Sequence, residues 1–307
     1  MKHIPVLLKE TLEYLQIKPN GCYLDGTLGA GGHALEVAKR LNKEGTLVGV
    51  DQDPALFEKV TEKLKDTPPQ KKLMNLRFDQ VDQLKEFLPF DGILLDLGYS
   101  SDQLENPEYG LSWKLESPLD MRLDKTEKKM SAGNWLNHTG FEEMWKAFEV
   151  EGELPRSKTL AQAIVDIRAK KPFRVNQDFL TVIQDVYRSD KSIKFQMIYN
   201  QIFQAIRIVV NHEKDNLKKF LENYLNWLSP GGRLVIISFH SGEDRLVKEA
   251  FAKEAKDCLC PPFYPVCKCG HQKQIKILTK KPIVASSEEI KVNSRSASAK
   301  LRAIQKL

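Results

Sequence analysis

Through the first hundred residues, strand-like and helix-like stretches alternate, and the first strand runs directly into a glycine-rich loop. That order constrains the fold more than any other feature of the chain. Residues 21–25 read as a short strand opening into the loop 26–32, and the helix that follows carries Ala34, Val37, Ala38 and Leu41 at helical spacing. Residues 46–51 form a second buried strand. Asp53-Pro54 then opens a helix with an N-cap and a proline at its first position. A third, short strand is expected at 76–79 and a fourth at 91–96, apolar on both faces as parallel strands are. Repeated strand–helix–strand units of this kind dictate right-handed crossovers. The fold class is therefore α/β, a doubly wound, mostly parallel, Rossmann-like sheet.

The rhythm stops near residue 104. From there to about 195 the chain holds no convincing buried strand and shows helical patterns instead, as at 160–167. One long amphipathic helix is expected around 202–228, a strand at 231–239 and a last strand at 274–278. The simplest organisation is a discontinuous sheet domain, 1–103 with 200–307, carrying a mainly helical insert, 104–199, as the substrate-recognition domain.

No apolar run approaches the length of a membrane span, and the first eight residues have no signal-peptide or transit-peptide character. These features predict a cytoplasmic protein with no membrane partner. The formal charge of +6 is modest, but Lys273 to Lys306 holds nine Lys or Arg against Glu288 and Glu289. Such a surplus fits a polyanion, with Lys291, Arg295, Lys300 and Arg302 as candidate phosphate contacts, and fits a solvated face equally well. Of the five cysteines, Cys258, Cys260, Cys267 and Cys269 crowd into twelve residues. That is no disulfide framework. One intervening residue in each pair makes a strained chelate, so a reduced loop without metal is expected.

Ligands of open α/β sheets bind beyond the carboxyl ends of the strands. Asp25-Gly26-Thr27-Leu28-Gly29-Ala30-Gly31-Gly32-His33 lies there, with glycines that permit close backbone approach and a following helix whose N–H groups face an anion. Asp51, at the tip of the second strand, is placed to hold ribose hydroxyls. This order predicts an adenosine-containing ligand. Gly29-x-Gly31-x-x-Ala34 also satisfies the dinucleotide fingerprint, which keeps an NAD-dependent oxidoreductase open. The fourth strand ends in Asp96-Leu97-Gly98-Tyr99-Ser100-Ser101, an acceptor and an aromatic suited to holding an amine; a dehydrogenase more often needs a His or Lys there. Tyr99 and Phe239 are candidate stacking surfaces for a base, and His240, after the fifth strand, is a candidate contact or proton relay.

These motifs, in this order, resemble the bacterial 16S ribosomal RNA cytosine-N4 methyltransferase family, also called the RsmH or MraW family. The resemblance runs from His3-Ile4-Pro5-Val6-Leu7-Leu8 through the glycine loop, Asp51-Gln52-Asp53-Pro54 and Leu95 to Leu104. It continues in Pro118 to Asp124, Phe203 to Ile208, Ser238-Phe239-His240-Ser241, Cys260-Pro261-Pro262 to Cys269-Gly270, and Ser294-Arg295-Ser296. It implies a class I methyltransferase fold, S-adenosylmethionine as cofactor, and ribosomal RNA or the small ribosomal subunit as partner, and it is compatible with a homodimer. It further implies that Gly29, Gly31, Gly32 and His33 line the cofactor, that Asp51 holds the ribose, and that Asp96 and Gln103 lie near the adenine or the reacting methyl. Catalytic roles fall to Asp96, Tyr99 and His240. Val81 stands where the family's phenylalanine is expected to touch adenine. Further departures fall at Met197 to Gln201, Gly242 and Ala297, on the side of RNA selection.

Overall fold

A computed structural model describes residues 4–126, 129–190, 192–261, 264 and 266–307; His3 and Pro262 of the family-like motifs lie outside them. The elements in chain order are α1 (Leu8–Leu15), β1 (Cys22–Asp25), α2 (Gly32–Ala38), β2 (Thr46–Asp51), α3 (Phe57–Leu64), β3 (Gln70–Asn75), β4 (Phe90–Asp96) and α4 (Ser101–Glu105). Next come α5 (Ala132–His138), α6 (Phe141–Val150), α7 (Ser157–Arg168), α8 (Asn176–Tyr187), α9 (Phe195–Val210) and α10 (Glu213–Trp227). The chain finishes with β5 (Leu228–Ser238), α11 (Ser241–Glu254), β6 (Ile275–Ile277), α12 (Ser287–Val292) and β7 (Lys300–Lys306). Among the described residues, no helix is long and apolar enough to cross a membrane.

The chain divides into two compact units. The first comprises residues up to Gly98 together with Lys214–Leu307, and the second is Tyr99–Glu213. In the first, a seven-stranded sheet runs in the order β3-β2-β1-β4-β5-β7-β6. Strands β1 to β5 pair in parallel, and β7 pairs antiparallel with both β5 and β6. The sheet is buried on both faces, by Leu24, Val48, Ile93, Leu95 and Ile236 on one side and Leu47, Leu94, Val235, Ile237 and Leu301 on the other. Neighbouring residues of one strand thus serve opposite layers, as the two-residue period of a strand requires.

Three expectations need correction. The third strand is Gln70–Asn75, not 76–79; its polar sequence belongs to a sheet edge, and Phe78 onward forms tight 3-10 turns. The long helix around 202–228 is two helices, parted at Asn211 and His212, whose φ of 54° is left-handed. Asn211 causes the break. Buried at the end of α9, it donates from Nδ2 to Met121 O (2.8 Å) and Arg207 O (3.0 Å) and accepts from Leu123 N (2.9 Å). The basic C-terminal stretch, open as a polyanion contact or a solvated face, ends instead in β7, with Leu301, Ala303 and Ile304 wholly buried.

The second unit has its own apolar core, built from α5 to α9 around Trp135, Phe148, Phe179, Tyr187 and Ile202. Helix α9 supplies Ile198, Ile202, Ala205 and Ile206 to that core, which is why the unit reaches to 213 and not to 199. At its other end it begins at Tyr99 rather than 104. Within this unit Asp120 grips Arg122 at 2.7 and 3.0 Å, and Asp124 accepts from Thr126.

Candidate active site

The glycine loop is clipped to both strands that flank β1. Gly26 N donates to Leu94 O (2.9 Å) at the end of β4, and Leu28 N donates to Val50 O (3.0 Å) in β2. Gly29 and Gly31 take left-handed φ of 49° and 69°, and a Cβ on Gly31 would stand 2.8 Å from Val60 Cγ1. Conformation and space both demand glycine there. Asp51 braces the loop from β2: its Oδ2 accepts from Gly29 N (2.8 Å) and its Oδ1 from Asp53 N (3.0 Å). Each carboxylate oxygen keeps a lone pair for a ligand hydroxyl.

Beside the loop stand two more carboxylates and a histidine. Asp25, 3% exposed, accepts from Thr27 N (3.2 Å). Burial pushes its carboxyl up to about 7, with Asp96 and Asp51 adding to the rise and His33 opposing it. Burial likewise lifts Asp51 to about 6, against the bonds from Asp53 and Gly29. Asp96 closes β4, its backbone N–H donating to Thr27 Oγ1 at 2.6 Å. Its Oδ2 lies 3.6 Å from His33 Nε2, and its Oδ1 is buried with no hydrogen-bond partner among the described residues. The His33 ring is also buried, and neither nitrogen is hydrogen-bonded among the described residues. Leaving a buried polar group unmade costs about 1–3 kcal/mol, and more for a charged one. A ligand with donors and a positive centre offsets that cost, so the residues present fit such a ligand.

His33 thus sets its buried ring beside Asp96. Val81, at the position expected to touch adenine, is 1% exposed and packed in the core with Leu84 and Val48. The aromatic near the loop is Phe78, half-buried, whose Cβ lies 3.2 Å from where a Cβ on Gly26 would stand. Sequence reasoning missed it because the third strand was read through it. At the end of β5, Phe239 is half-buried, 3.9 Å from a Cβ built on Gly98.

His240 is bound up in a helix cap. Its Nδ1 accepts from Glu243 N (3.4 Å), its Nε2 lies 3.2 Å from Glu243 Oε1, and Glu243 Oε2 accepts from Phe239 N (3.0 Å). The imidazole is only 8% exposed, its Nδ1 caps the start of α11, and its Nε2 has no hydrogen-bond partner among the described residues. Gln103 is a capping residue too, its carbonyl accepting from Ser100 N (2.8 Å) while Ser100 Oγ accepts from Gln103 N (3.2 Å). In that second unit Tyr99 is 37% exposed, with the Arg207 guanidinium 4.6 Å from its ring centroid. Arg207, not singled out from sequence, is itself held by Glu213 at 2.8 and 2.9 Å.

The basic end of the chain is partly spent. Arg302 makes a two-pronged bond to Asp244 (2.6 and 3.2 Å), and Lys300 Nζ lies 3.7 Å from the same carboxylate. Burial acts to raise the Asp244 carboxyl, but these two cations outweigh it and hold it below the ordinary range. Arg302 and Lys300 therefore serve the fold, while Lys291 is exposed on α12.

Comparison with known proteins separates the two chemistries that the glycine loop left open. The chain is 40% identical over 315 residues to Ribosomal RNA small subunit methyltransferase H of Halothermothrix orenii, covering 100% of this chain and 99% of the relative. It is 43% identical over 309 residues to the protein of that name from Heliobacterium mobile, covering 99% of each. With the Clostridium botulinum (strain Loch Maree) protein it shares 43% over 312 residues, 100% of this chain and 99% of the relative. The sheet order, with its antiparallel β7, is the Rossmann-like class I methyltransferase fold expected from the sequence. Because the MraW methylase family model matches residues 1–307 as well, this chain belongs to the MraW methylase family, and the oxidoreductase alternative falls away.

Proposed function

We propose that this chain methylates the exocyclic N4 of a cytosine in 16S ribosomal RNA, with S-adenosylmethionine as its cofactor. Its relatives are named as small-subunit ribosomal RNA methyltransferases. The observation that carries the choice of an amine is the buried, unpartnered Oδ1 of Asp96 beside the glycine loop. An exocyclic amine conjugated with its ring is a poor nucleophile. An acceptor on one of its N–H bonds localises the lone pair and favours attack.

The bound cofactor supplies a methyl group on a positively charged sulfur, which is already a good leaving group. Gly29, Gly31 and Gly32 let the backbone approach it, Asp51 accepts from its ribose hydroxyls, and Phe78 offers an apolar face. Asp25 and Asp96 give the cation a negative surrounding in a low-dielectric pocket, where charge counts for more than in water. Asp96 holds the target amine and is placed to take the proton the nitrogen sheds, with His33 behind it. Phe239 provides a face on which an extruded base stacks, and Tyr99, backed by Arg207, is an exposed aromatic of the second unit suited to RNA. Residues 99–213 serve as the RNA-recognition unit. Catalysis then rests on positioning and electrostatics.

The test is a map of methylated cytosines in small-subunit RNA from cells with and without the gene. One N4-methyl mark should vanish in its absence and return with the wild-type chain. An unchanged map, or loss of a mark on another atom, overturns the assignment.

A further inference from the structure

The four cysteines expected to form a plain reduced loop come together in space. Sγ of Cys258 lies 3.3 Å from that of Cys267 and 3.7 Å from that of Cys269, and Cys267 and Cys269 are 3.6 Å apart. With Cys260 included, all four sulfurs lie within 4.8 Å of one another. Four thiolates around a zinc ion with bonds of roughly 2.3 Å form a tetrahedron with edges of roughly 3.8 Å, close to these separations. A disulfide requires about 2.05 Å, and all four are free thiols. The single residue between Cys267 and Cys269 therefore does not keep their sulfurs from a shared ligand position, contrary to the expectation from spacing.

The surroundings suit thiolates. Backbone N–H groups point at three of the sulfurs: Leu259 N to Cys269, Cys260 N to Cys258 and Lys268 N to Cys260, each at 3.3 Å. Such donors favour the deprotonated sulfur and fix its direction. Four thiolates on a divalent cation leave a charge of two minus, and Lys256, Lys268 and Lys273 lie in the same stretch. Besides single contacts such as Gln274 N to Glu254 O (2.9 Å), the described residues of the segment carry little order of their own. Between α11 and β6 its described residues form no helix or strand, and its large apolar side chains Leu259, Tyr264 and Val266 are 37, 48 and 67% exposed. A long structureless excursion with no core of its own pays ordering entropy without burial in return.

We propose that Cys258, Cys260, Cys267 and Cys269 bind one zinc ion through four thiolates, and that this ion holds the 255–274 loop. The site is structural, since four protein ligands leave no open position for chemistry. Each thiol releases its proton to solvent as the metal binds.

The test uses the full chain, untagged, purified under reducing conditions, incubated with zinc and desalted. Elemental analysis should find one zinc per chain. Replacing zinc by cobalt should give sulfur-to-cobalt charge-transfer absorption and the visible bands of a tetrahedral site. The double variant Cys258→Ser/Cys269→Ser should retain zinc at least about tenfold less well, whereas Cys22→Ser should keep it. The proposal is overturned if the reduced wild-type chain holds no zinc and gives no cobalt spectrum. It is overturned equally if the double variant holds as much zinc as the parent. The wild-type cobalt spectrum decides the matter even should the variant fail to fold. Methylation of RNA by a reduced wild-type chain that takes up neither zinc nor cobalt would leave the proposed function standing and sink this site alone.

Discussion

Asp96 and Asp244 are both carboxylates near the carboxyl ends of central strands, yet the fold treats them oppositely. Asp244 is gripped by Arg302 and approached by Lys300, whereas Asp96 keeps one buried oxygen with no partner and the other 3.6 Å from His33. A carboxylate that serves only the fold is neutralised and hydrogen-bonded, because an unpaired buried charge is costly. One left open at the rim of a glycine loop is held ready for something that the protein does not contain. Among the described residues neither ring nitrogen of His33 is hydrogen-bonded, whereas Nδ1 of His240 accepts from Glu243 N in a helix cap and only its Nε2 lacks a hydrogen bond. Position after a strand therefore does not identify a functional residue; the state of its hydrogen bonds does.

The sharpest way to break the comparison is Asp96→Asn. Methyl transfer should fall by about 10²–10⁴-fold, since the general acid–base or acceptor role is lost, while cofactor affinity falls by a much smaller factor through the lost negative charge. If turnover and affinity drop by the same factor, Asp96 is a cofactor ligand and its catalytic role is wrong. Arg302→Met should instead cost stability, about 3 kcal/mol in urea unfolding, and leave the salt dependence of RNA binding unchanged. A flatter salt dependence with unaltered stability would restore Arg302 to the RNA side.

Asp51→Ala is expected to weaken S-adenosylmethionine binding by about tenfold or more, through lost charge-assisted bonds and a loosened Gly29. Calorimetry showing wild-type affinity would remove Asp51 from the site. A gentler effect should appear with pH. Asp25 and Asp51, lifted by burial to about 7 and about 6, hold protons that must leave before they accept from ribose or face a cation. Affinity should therefore rise with pH and flatten above about 7. In the ligand-free protein the same two groups lose stability as pH rises from their ordinary range near 4 toward their raised values. Asp244, held low, has the opposite sign and loses its contribution as pH falls through its lowered value. The thermal shift caused by cofactor should thus be larger at pH 8 than at pH 5, and a shift independent of pH would contradict the assignment. The smallest expected effect is that of Lys291→Gln. If Lys291 meets a phosphate, the slope of log affinity against log salt should fall by roughly 0.7 to 0.9, with stability and cofactor binding unchanged. No change in slope would remove Lys291 from the RNA contact.

What the sequence determined by itself is local. A strand, a glycine loop, a helix, a second strand and an acid in that order place Asp51 against the loop, because each step depends on neighbours a few residues apart and on the periods of helix and strand. Asp96 and Tyr99 were legible as a polar cluster ending a buried strand. Only the tertiary structure decided the rest, since those features depend on partners far along the chain. A run of Lys, Leu, Arg, Ala and Ile reads as a solvated basic tail until Asp244 neutralises Arg302 and β5 supplies the ladder for β7. The residues around Asn211 read as one helix until the carbonyl of Met121, ninety positions away, claims its side chain. Two closely spaced pairs of cysteines read as a strained chelate until the loop folds and brings all four sulfurs together. Periodicity and turn chemistry are written in nearby residues; charge neutralisation and convergence are written in distances that only the fold creates.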